Sequence, residues 1–233
     1  MYVAAGMIVL TPIGLTAGFL SLFGLRKPMR VVTYRVAQGW AKGLLKLSGC
    51  RLTVTGREHI PRKGGVCFVS NHGSIFDIGL TLAYIGRPFG FIAKKELAFI
   101  PFLNVWIFML GGLFIDRNNF RKALRTINKG VARIKAGGCM IIFPEGHRSR
   151  GQGLLPFHPG SLKLATQAEA PIVPMALAGS YDVFEKNHRL NAVPVRVTFG
   201  KPIDTADIPA GNRKQILADQ IYAVIKKALE EEG

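Results

Sequence analysis

A histidine and an aspartate five residues apart, His72 and Asp77, are the residues of this chain best suited to chemistry. They follow the apolar run of residues 66–69, and active sites of α/β sheets commonly form where a buried strand ends. A neutral imidazole can remove a proton from an alcohol, while a carboxylate bonded to its other nitrogen fixes the tautomer. On one continuous helix the pair would point about 140° apart, so it needs a turn, which Gly73 and Ser74 can provide. An isolated pair is more often a core histidine and a helix-start acid, so other residues must decide.

An arginine that could bind phosphate closes the segment of residues 111–117. If the apolar residues before it form a strand, Arg117 stands at the strand end, where its planar guanidinium can hold two phosphate oxygens. The ordinary alternative is a surface ion pair between Arg117 and Asp116 or another acid.

A third segment, residues 143–149, combines an acid, a glycine and an arginine. Glu145 can accept hydrogen bonds from a substrate hydroxyl or orient a neighbouring arginine, and Arg148 adds positive charge for a phosphate. Gly146 permits close approach of the backbone. Taken alone, this Pro-Glu-Gly sequence is an ordinary turn.

Together these segments resemble the motifs of the glycerolipid acyltransferase family, whose members transfer acyl groups from thioesters to glycerol phosphates. Residues 71–77 resemble its Asn-His-x4-Asp signature, and residues 111–117 resemble its Gly-x-x-Phe-Ile-x-Arg block. Residues 143–149 match Phe-Pro-Glu-Gly-Thr-Arg-Ser at six of seven positions, with His147 in place of the threonine. A weaker fourth block lies at residues 172–176. The resemblance covers roughly residues 52–200 and keeps the order of the blocks.

The resemblance implies acyl transfer from acyl-CoA or acyl-carrier protein to the sn-2 hydroxyl of 1-acyl-sn-glycerol 3-phosphate, which gives phosphatidic acid. It implies that His72 is the general base and that Asp77 orients it. The implied reaction needs no metal and no cofactor, and the acyl thioester is a co-substrate. The substrate-binding residues that it implies are Asn71, Lys94, Arg117, Glu145, Gly146 and Arg148.

Three alternatives remain open at this point. The first is an acyltransferase for another lysophospholipid or a lyso-aminolipid, since His158 stands where many relatives have a lysine and so leaves the headgroup uncertain. The second is a transacylase that takes its acyl group from another phospholipid. The third is a non-catalytic basic protein that binds anionic membranes.

Composition indicates a basic protein that contacts lipid. The chain of 233 residues carries 31 Lys and Arg against 14 Asp and Glu, a formal net charge of +17, which favours an anionic partner. A mean hydropathy of +0.24 is high for a soluble domain, and the nucleic-acid motifs that would explain the charge otherwise are missing from the sequence. We therefore expect anionic membrane lipids as partners and no nucleic acid. The three cysteines lack metal-ligand spacing.

The pattern of apolar residues predicts an α/β fold, and the resemblance implies a mixed central sheet flanked by helices. Two amphipathic helices are predicted, one over residues 120–134 that stops at Gly137 and Gly138, and one from about residue 212 to residue 228. Residues 99–110 could form either a buried core helix or part of an acyl tunnel. Strands are predicted at residues 52–55, 66–69, 89–93, 113–115, 140–143, 172–177 and 195–199.

The first 48 residues are predicted to be a membrane-associated helical segment, with the catalytic domain at residues 49–233. Residues 1–25 carry no charge, so they either span the bilayer or re-enter it by bending at Pro12 and Gly14. The basic residues that follow predict the cytoplasmic face of the cell membrane. A second helix, over residues 29–47, has an apolar stripe that could pack on the core, but its position after the apolar run favours the membrane interface. The stripe consists of Val32, Val36, Trp40, Leu44 and Leu47.

Overall fold

The computed structural model describes residues 2–205, 208 and 211–231. Its strands are β1 (Arg51–Thr55), β2 (Val66–Ser70), β3 (Phe89–Lys94), β4 (Leu113–Ile115), β5 (Cys139–Ile142), β6 (Ile172–Ala178) and β7 (Pro194–Phe199). Its α-helices are α1 (Tyr2–Leu20), α2 (Arg26–Leu47), α3 (Phe76–Tyr84), α4 (Leu103–Met109), α5 (Phe120–Lys135), α6 (Lys163–Ala168) and α7 (Arg213–Glu230). Short 3-10 turns lie at Arg57–His59, Lys95–Phe99 and Pro159–Leu162.

The strands form one sheet in the order β1-β7-β6-β2-β5-β3-β4. All neighbouring strands are parallel except β6 and β7, which are antiparallel. The sheet is therefore mixed, which confirms the predicted fold class. Each predicted strand and the helices α5 and α7 lie within a few residues of the expected bounds.

Helices cover both faces of this sheet, so its central strands are buried on both sides. Every residue of β2 and of β5 is buried, as expected for strands of continuous apolar sequence. Side chains from α2, α3 and α4 complete the core on one face, and those from α5, α6 and α7 complete the core on the other. Ile134, in the predicted apolar stripe of α5, is buried in the core that α5, α6 and α7 share, whereas Phe120 at the start of the stripe is exposed.

Most of the uncharged N-terminal run forms the helix α1, and a turn at the end of the run lays α1 against α2. The chain reverses at Phe23 and Gly24, where Gly24 takes a φ of 85° that a glycine adopts without strain, and Gly6 thereby lies against Trp40 of α2. The bend expected at Pro12 and Gly14 is wrong, since both residues lie inside α1. Among the described helices, none is both long and apolar enough to cross a bilayer, and the predicted N-terminal membrane anchor is not supported.

Helix α2 packs on the sheet through a different stripe from the one predicted. Its buried residues are Tyr34, Ala37, Ala41 and Leu45, which share one core with β2. The predicted stripe lies on the adjoining face, so that both Val32 and Leu47 are exposed. One face of α2 packs on the core while the adjoining apolar stripe is partly exposed, so the position of this helix at the membrane interface stays a prediction. The predicted boundary between the membrane-associated segment and the catalytic domain, at residue 48, lies just after the end of α2, and α2 shares one core with the strands that follow it.

Candidate active site

The segments that carry the candidate residues meet at one edge of the sheet. His72 follows β2, Lys94 ends β3, Arg117 follows β4 and Glu145 follows β5. These four strands are parallel, so their carboxyl ends lie side by side. The structure thus brings together residues that the sequence separates by as many as 73 positions.

The predicted pair of His72 and Asp77 is formed. His72 Nδ1 and Asp77 Oδ2 are 2.7 Å apart, and the same carboxylate oxygen accepts a hydrogen bond from Ser74 N at 2.8 Å. Asp77 lies fully buried in the first turn of α3, and the turn between the two residues lets their side chains meet. Because an ionised carboxylate only accepts hydrogen bonds, Nδ1 of the neutral imidazole carries the proton and Nε2 has a free lone pair.

Contacts on the ring and on the main chain hold His72 in place. The imidazole stacks on Phe143, with ring centroids 4.3 Å apart and planes inclined by 24°. The His72 N–H donates to Glu145 Oε1 at 2.6 Å, and its carbonyl oxygen accepts from Ser149 N at 2.8 Å. The loop after β5 therefore fixes the position of the residue after β2.

Glu145 is a buried carboxylate that binds two backbone amides. Besides His72 N, it accepts a hydrogen bond from Leu155 N at 3.1 Å through Oε2. Burial raises the pKa of Glu145 above its ordinary value, and the hydrogen bonds from these amides act in the opposite direction. Its described contacts are with main chain rather than with an arginine, so Glu145 ties the segment after β2 to the loop after β5, and its predicted contact with substrate stays a prediction.

Arg117 and Gly146 are in direct contact. Arg117 Nη1 donates to the carbonyl oxygen of Gly146 at 2.8 Å. The φ of Gly146 is 78°, and a Cβ there would stand 3.1 Å from Arg117 Nη1 and 3.5 Å from the ring of His158. Only glycine fits this position without displacing the arginine. The alternative ion pair of Arg117 with Asp116 is wrong, because Asp116 pairs with Lys95.

Asn71 has a structural role that sequence reasoning missed. Its side-chain nitrogen donates to Leu177 O at 2.9 Å, and its side-chain oxygen accepts from Leu177 N at 2.8 Å. The side chain is buried, and both polar atoms are used by β6. The amide of Asn71 thus joins the end of β2 to β6, and its predicted contact with substrate stays a prediction.

A large apolar cavity opens beside His72. Its volume is about 1190 Å³, and it runs between the sheet edge and the helices α1, α2 and α4. Trp106 and Ile107 of α4 are both buried and line it, whereas Phe99 and Phe108 are exposed, so only part of residues 99–110 is core and the acyl tunnel stays a prediction. Other apolar lining residues are Leu10, Trp40, Leu44, Leu82, Leu103 and Leu110.

Basic side chains surround the cavity at the end near His72. We call this set the cationic rim, and its members are Lys94, Arg117, Arg148, Arg150, His158 and Lys163. Lys94 is exposed, as is His147 close by. Arg148 forms an ion pair with Glu185, whose other oxygen accepts a hydrogen bond from Ile75 N at 2.8 Å. Sequence analysis did not single out Glu185, because it lies outside every recognisable motif.

Fold and site together define a class of enzyme. An imidazole with a free lone pair, placed between an apolar cavity and a cationic rim, can activate a hydroxyl of a molecule that is greasy at one end and anionic at the other. Residues 51–178 match the family model described as Acyltransferase. The chain belongs to this acyltransferase family and is an enzyme.

Relatives of known name cover most of the chain. A 1-acyl-sn-glycerol-3-phosphate acyltransferase of Borreliella burgdorferi is 32% identical over 181 residues, which are 76% of this chain and 72% of that protein. Another, from Escherichia coli, is 30% identical over 221 residues, 91% of this chain and 88% of that protein. The crystal structure of the 1-acyl-sn-glycerophosphate acyltransferase PlsC from Thermotoga maritima superimposes with a TM-score of 0.79 at 26% identity, over 97% of this chain and 93% of that one.

Proposed function

We propose that this enzyme transfers an acyl group from an acyl-CoA or acyl-carrier-protein thioester to the sn-2 hydroxyl of 1-acyl-sn-glycerol 3-phosphate, giving phosphatidic acid. The observation that carries the proposal is the 2.7 Å contact of His72 with Asp77 at the boundary between the apolar cavity and the cationic rim. The names of the relatives support the same acceptor.

The proton transfer starts at His72. Nε2 removes the proton of the acceptor hydroxyl while the oxygen attacks the thioester carbonyl carbon. The imidazolium that forms is stabilised by the buried carboxylate of Asp77 through the proton on Nδ1. The carbon–sulfur bond then breaks, and the departing thiolate takes the proton from His72, so the enzyme returns to its starting state.

The cationic rim is suited to the phosphate of the acceptor. Arg117 can present a planar pair of N–H donors to two phosphate oxygens, and Lys94 adds a charge without that geometry. Arg148 retains part of its exposure despite its ion pair with Glu185, with 31% of its side chain accessible. The apolar cavity provides the complementary environment for acyl chains, whose burial stabilises binding by about 0.8 kcal/mol for each CH₂ group.

A thiol-release assay tests the proposal. Purified protein in mixed micelles is incubated with 1-acyl-sn-glycerol 3-phosphate and acyl-CoA, and separately with acyl-carrier protein as the donor. We expect thiol release from the wild type and none above background from His72→Ala. Activity of His72→Ala close to that of the wild type would overturn the mechanism.

A matched histidine variant controls for changes in folding. His188 is exposed, does not itself line the cavity, and contacts Phe184, and its φ of 54° is one that asparagine tolerates. His188→Asn should keep wild-type activity, and all three proteins should share one melting temperature. Comparing the rates with a panel of other lysophospholipids identifies the preferred acceptor. Acyl transfer without any thioester would instead indicate a transacylase.

The site at which the enzyme works is part of the proposal. Both the acceptor and the product reside in a bilayer, so we propose that the protein acts at the cytoplasmic face of the cell membrane. The exposed apolar residues of α1 and the net charge of +17 support this location. Centrifugation of the protein with phospholipid vesicles tests it, and protein that stays wholly in the supernatant would contradict it.

A further inference from the structure

Two arginines meet at the sheet edge opposite to His72. Arg30 belongs to α2 and Arg133 to α5, and both approach Gly111, which precedes β4. A Cβ on Gly111 would stand 3.0 Å from Arg30 Nη2 and 3.5 Å from Arg133 Nη1. Two guanidinium groups from helices on opposite faces of the sheet therefore converge on one point.

The charges of this pair are not neutralised within the described part of the chain. Arg30 Nε and Nη2 are buried and have no hydrogen-bond partner there, and Arg133 Nη1 donates to the carbonyl oxygen of Gly111. Burial lowers the pKa of both arginines, and the charge of Arg30 lowers that of Arg133 further. Arg87, like Arg30, is close to Cys139 at the start of β5. The guanidinium of Arg87 donates to the carbonyl oxygens of Pro61 and Gly64.

A buried guanidinium without an acceptor, next to a second one, is unfavourable. Desolvation costs free energy that hydrogen bonds have to offset, and like charges repel more strongly away from water. Nε and Nη2 form one edge of the guanidinium, which is the edge that binds two oxygens of a phosphate side by side. An oxyanion between Arg30 and Arg133 would supply both the missing acceptors and the missing negative charge.

The surroundings of the pair indicate which oxyanion. Arg30 is followed by Val31 and Val32, which are 41% and 42% exposed. The nearby end of α1 carries Phe19, and the turn that follows it carries Phe23 and Leu25; Phe23 is 69% exposed. A phosphate that is attached to acyl chains matches a cationic pocket beside an exposed apolar surface, whereas a free phosphate uses only the pocket.

We propose that Arg30 and Arg133 bind the phosphate group of an anionic membrane lipid whose acyl chains lie on the exposed apolar surface of α1 and α2. This site is separate from the cationic rim and does not depend on the proposed acyl transfer. It would orient the enzyme on the membrane at a point remote from the reacting groups.

Binding to vesicles tests the site in the full chain. The probes are phosphatidylcholine vesicles with and without about one third phosphatidylglycerol, and the variants are Arg30→Gln and Arg133→Gln. Arg125→Gln is the matched control, because it removes the same charge from an exposed position of α5 outside the cavity lining. We expect the control to weaken binding to the anionic vesicles by about fivefold at most, as for a surface cation, and each site variant by more than about tenfold. Equal losses in all three variants would overturn the proposal in favour of diffuse attraction.

A second measurement guards against variants that fold poorly. Melting temperatures are measured with short-chain phosphatidylglycerol below its micelle concentration, with sodium phosphate, and with sodium chloride at equal ionic strength. The lipid should raise the melting temperature of the wild type and of Arg117→Ala, but not that of Arg30→Lys, which keeps the charge and loses the planar edge. Stabilisation of the wild type by sodium phosphate to the same extent would contradict a lipid ligand, and so would equal stabilisation of Arg30→Lys.

Discussion

Residues 72–77 and 143–149, which we call the catalytic loop, border the same cavity as the cationic rim, but the two regions differ in how their side chains are held. In the loop, Asp77 and Glu145 are buried, and each carboxylate accepts two hydrogen bonds from His72 or from nearby backbone amides. In the rim, both Lys94 and His158 are exposed, and neither forms an ion pair with a described residue. Proton transfer depends on fixed geometry, whereas attraction of a phosphate depends mainly on the presence of charge. We therefore expect loop variants to lower kcat and rim variants to raise KM.

After His72→Ala itself, the largest effect should come from Asp77→Asn. Asparagine can still accept the proton of His72 Nδ1, but it has no charge to stabilise the imidazolium, and its amide nitrogen would be a buried donor where Oδ1 has no described partner. We expect kcat to fall by about 10³-fold with little change of KM. Steady-state thiol release measures both constants, and a loss of less than about tenfold would show that the carboxylate charge is dispensable.

Glu145→Gln should have the next largest effect on turnover. Glutamine offers one acceptor oxygen, so either His72 N or Leu155 N loses its hydrogen bond and the loop moves. A displacement of this kind should lower kcat by about tenfold to 10²-fold, with KM nearly unchanged. A rise of KM at constant kcat would instead place Glu145 in direct contact with the acceptor.

The same variant should change the pH dependence of stability. Burial raises the folded-state pKa of Glu145 above its ordinary value of 4.5, so between these two values the folded protein holds a proton that the unfolded chain has lost. The contribution of this group to the free energy of unfolding is fully present below pH 4.5 and is lost as the pH rises through the raised pKa. The melting temperature of the wild type relative to Glu145→Gln should therefore fall as the pH rises through this range. A relative rise would mean that the two amide hydrogen bonds outweigh burial.

Arg117→Ala tests the rim. Loss of its guanidinium should raise KM for a phosphorylated acceptor by about tenfold and leave kcat within about threefold. An acceptor without a phosphate, such as a monoacylglycerol, provides the comparison, since its use should not change. A fall of kcat alone would show that Arg117 acts on the loop through its contact with Gly146.

The smallest effect should come from Lys94→Gln. An exposed lysine contributes a screened point charge, so KM should rise about twofold to threefold at low salt. The difference from the wild type should disappear at about 1 M salt, where the screening length is about 3 Å. A loss that persists at high salt would indicate a direct contact with the phosphate.

The contrast between loop and rim also separates what the sequence could predict from what it could not. Strands such as β2 and β5 were predictable because their residues are apolar throughout, and α5 was predictable because its apolar residues recur with the period of a helix. The pair of His72 and Asp77 could be inferred because a turn can bring two nearby residues together and because the motifs at residues 111–117 and 143–149 accompany it. The contacts of Glu145 and Glu185 could not, because carboxylates that bind distant backbone amides leave no periodic pattern.

The N-terminal region shows the same limit from another side. Its apolar run was recognisable, but the position of its reversal depends on Gly24 adopting a positive φ, and the sequence contains several other glycines and a proline that could have served. The face by which α2 packs is likewise shared between two neighbouring apolar stripes.

The amide of Asn71 has a consequence for how activity is acquired during folding. With both polar atoms bonded to Leu177, it serves as a substitute rung that continues the β2–β6 ladder past its last backbone pair, between residues 106 positions apart. Closing so long a segment is entropically costly and tends to be slow. Recovery of enzyme activity after dilution from denaturant should therefore lag behind the recovery of helical circular dichroism, because turnover requires this long segment to close.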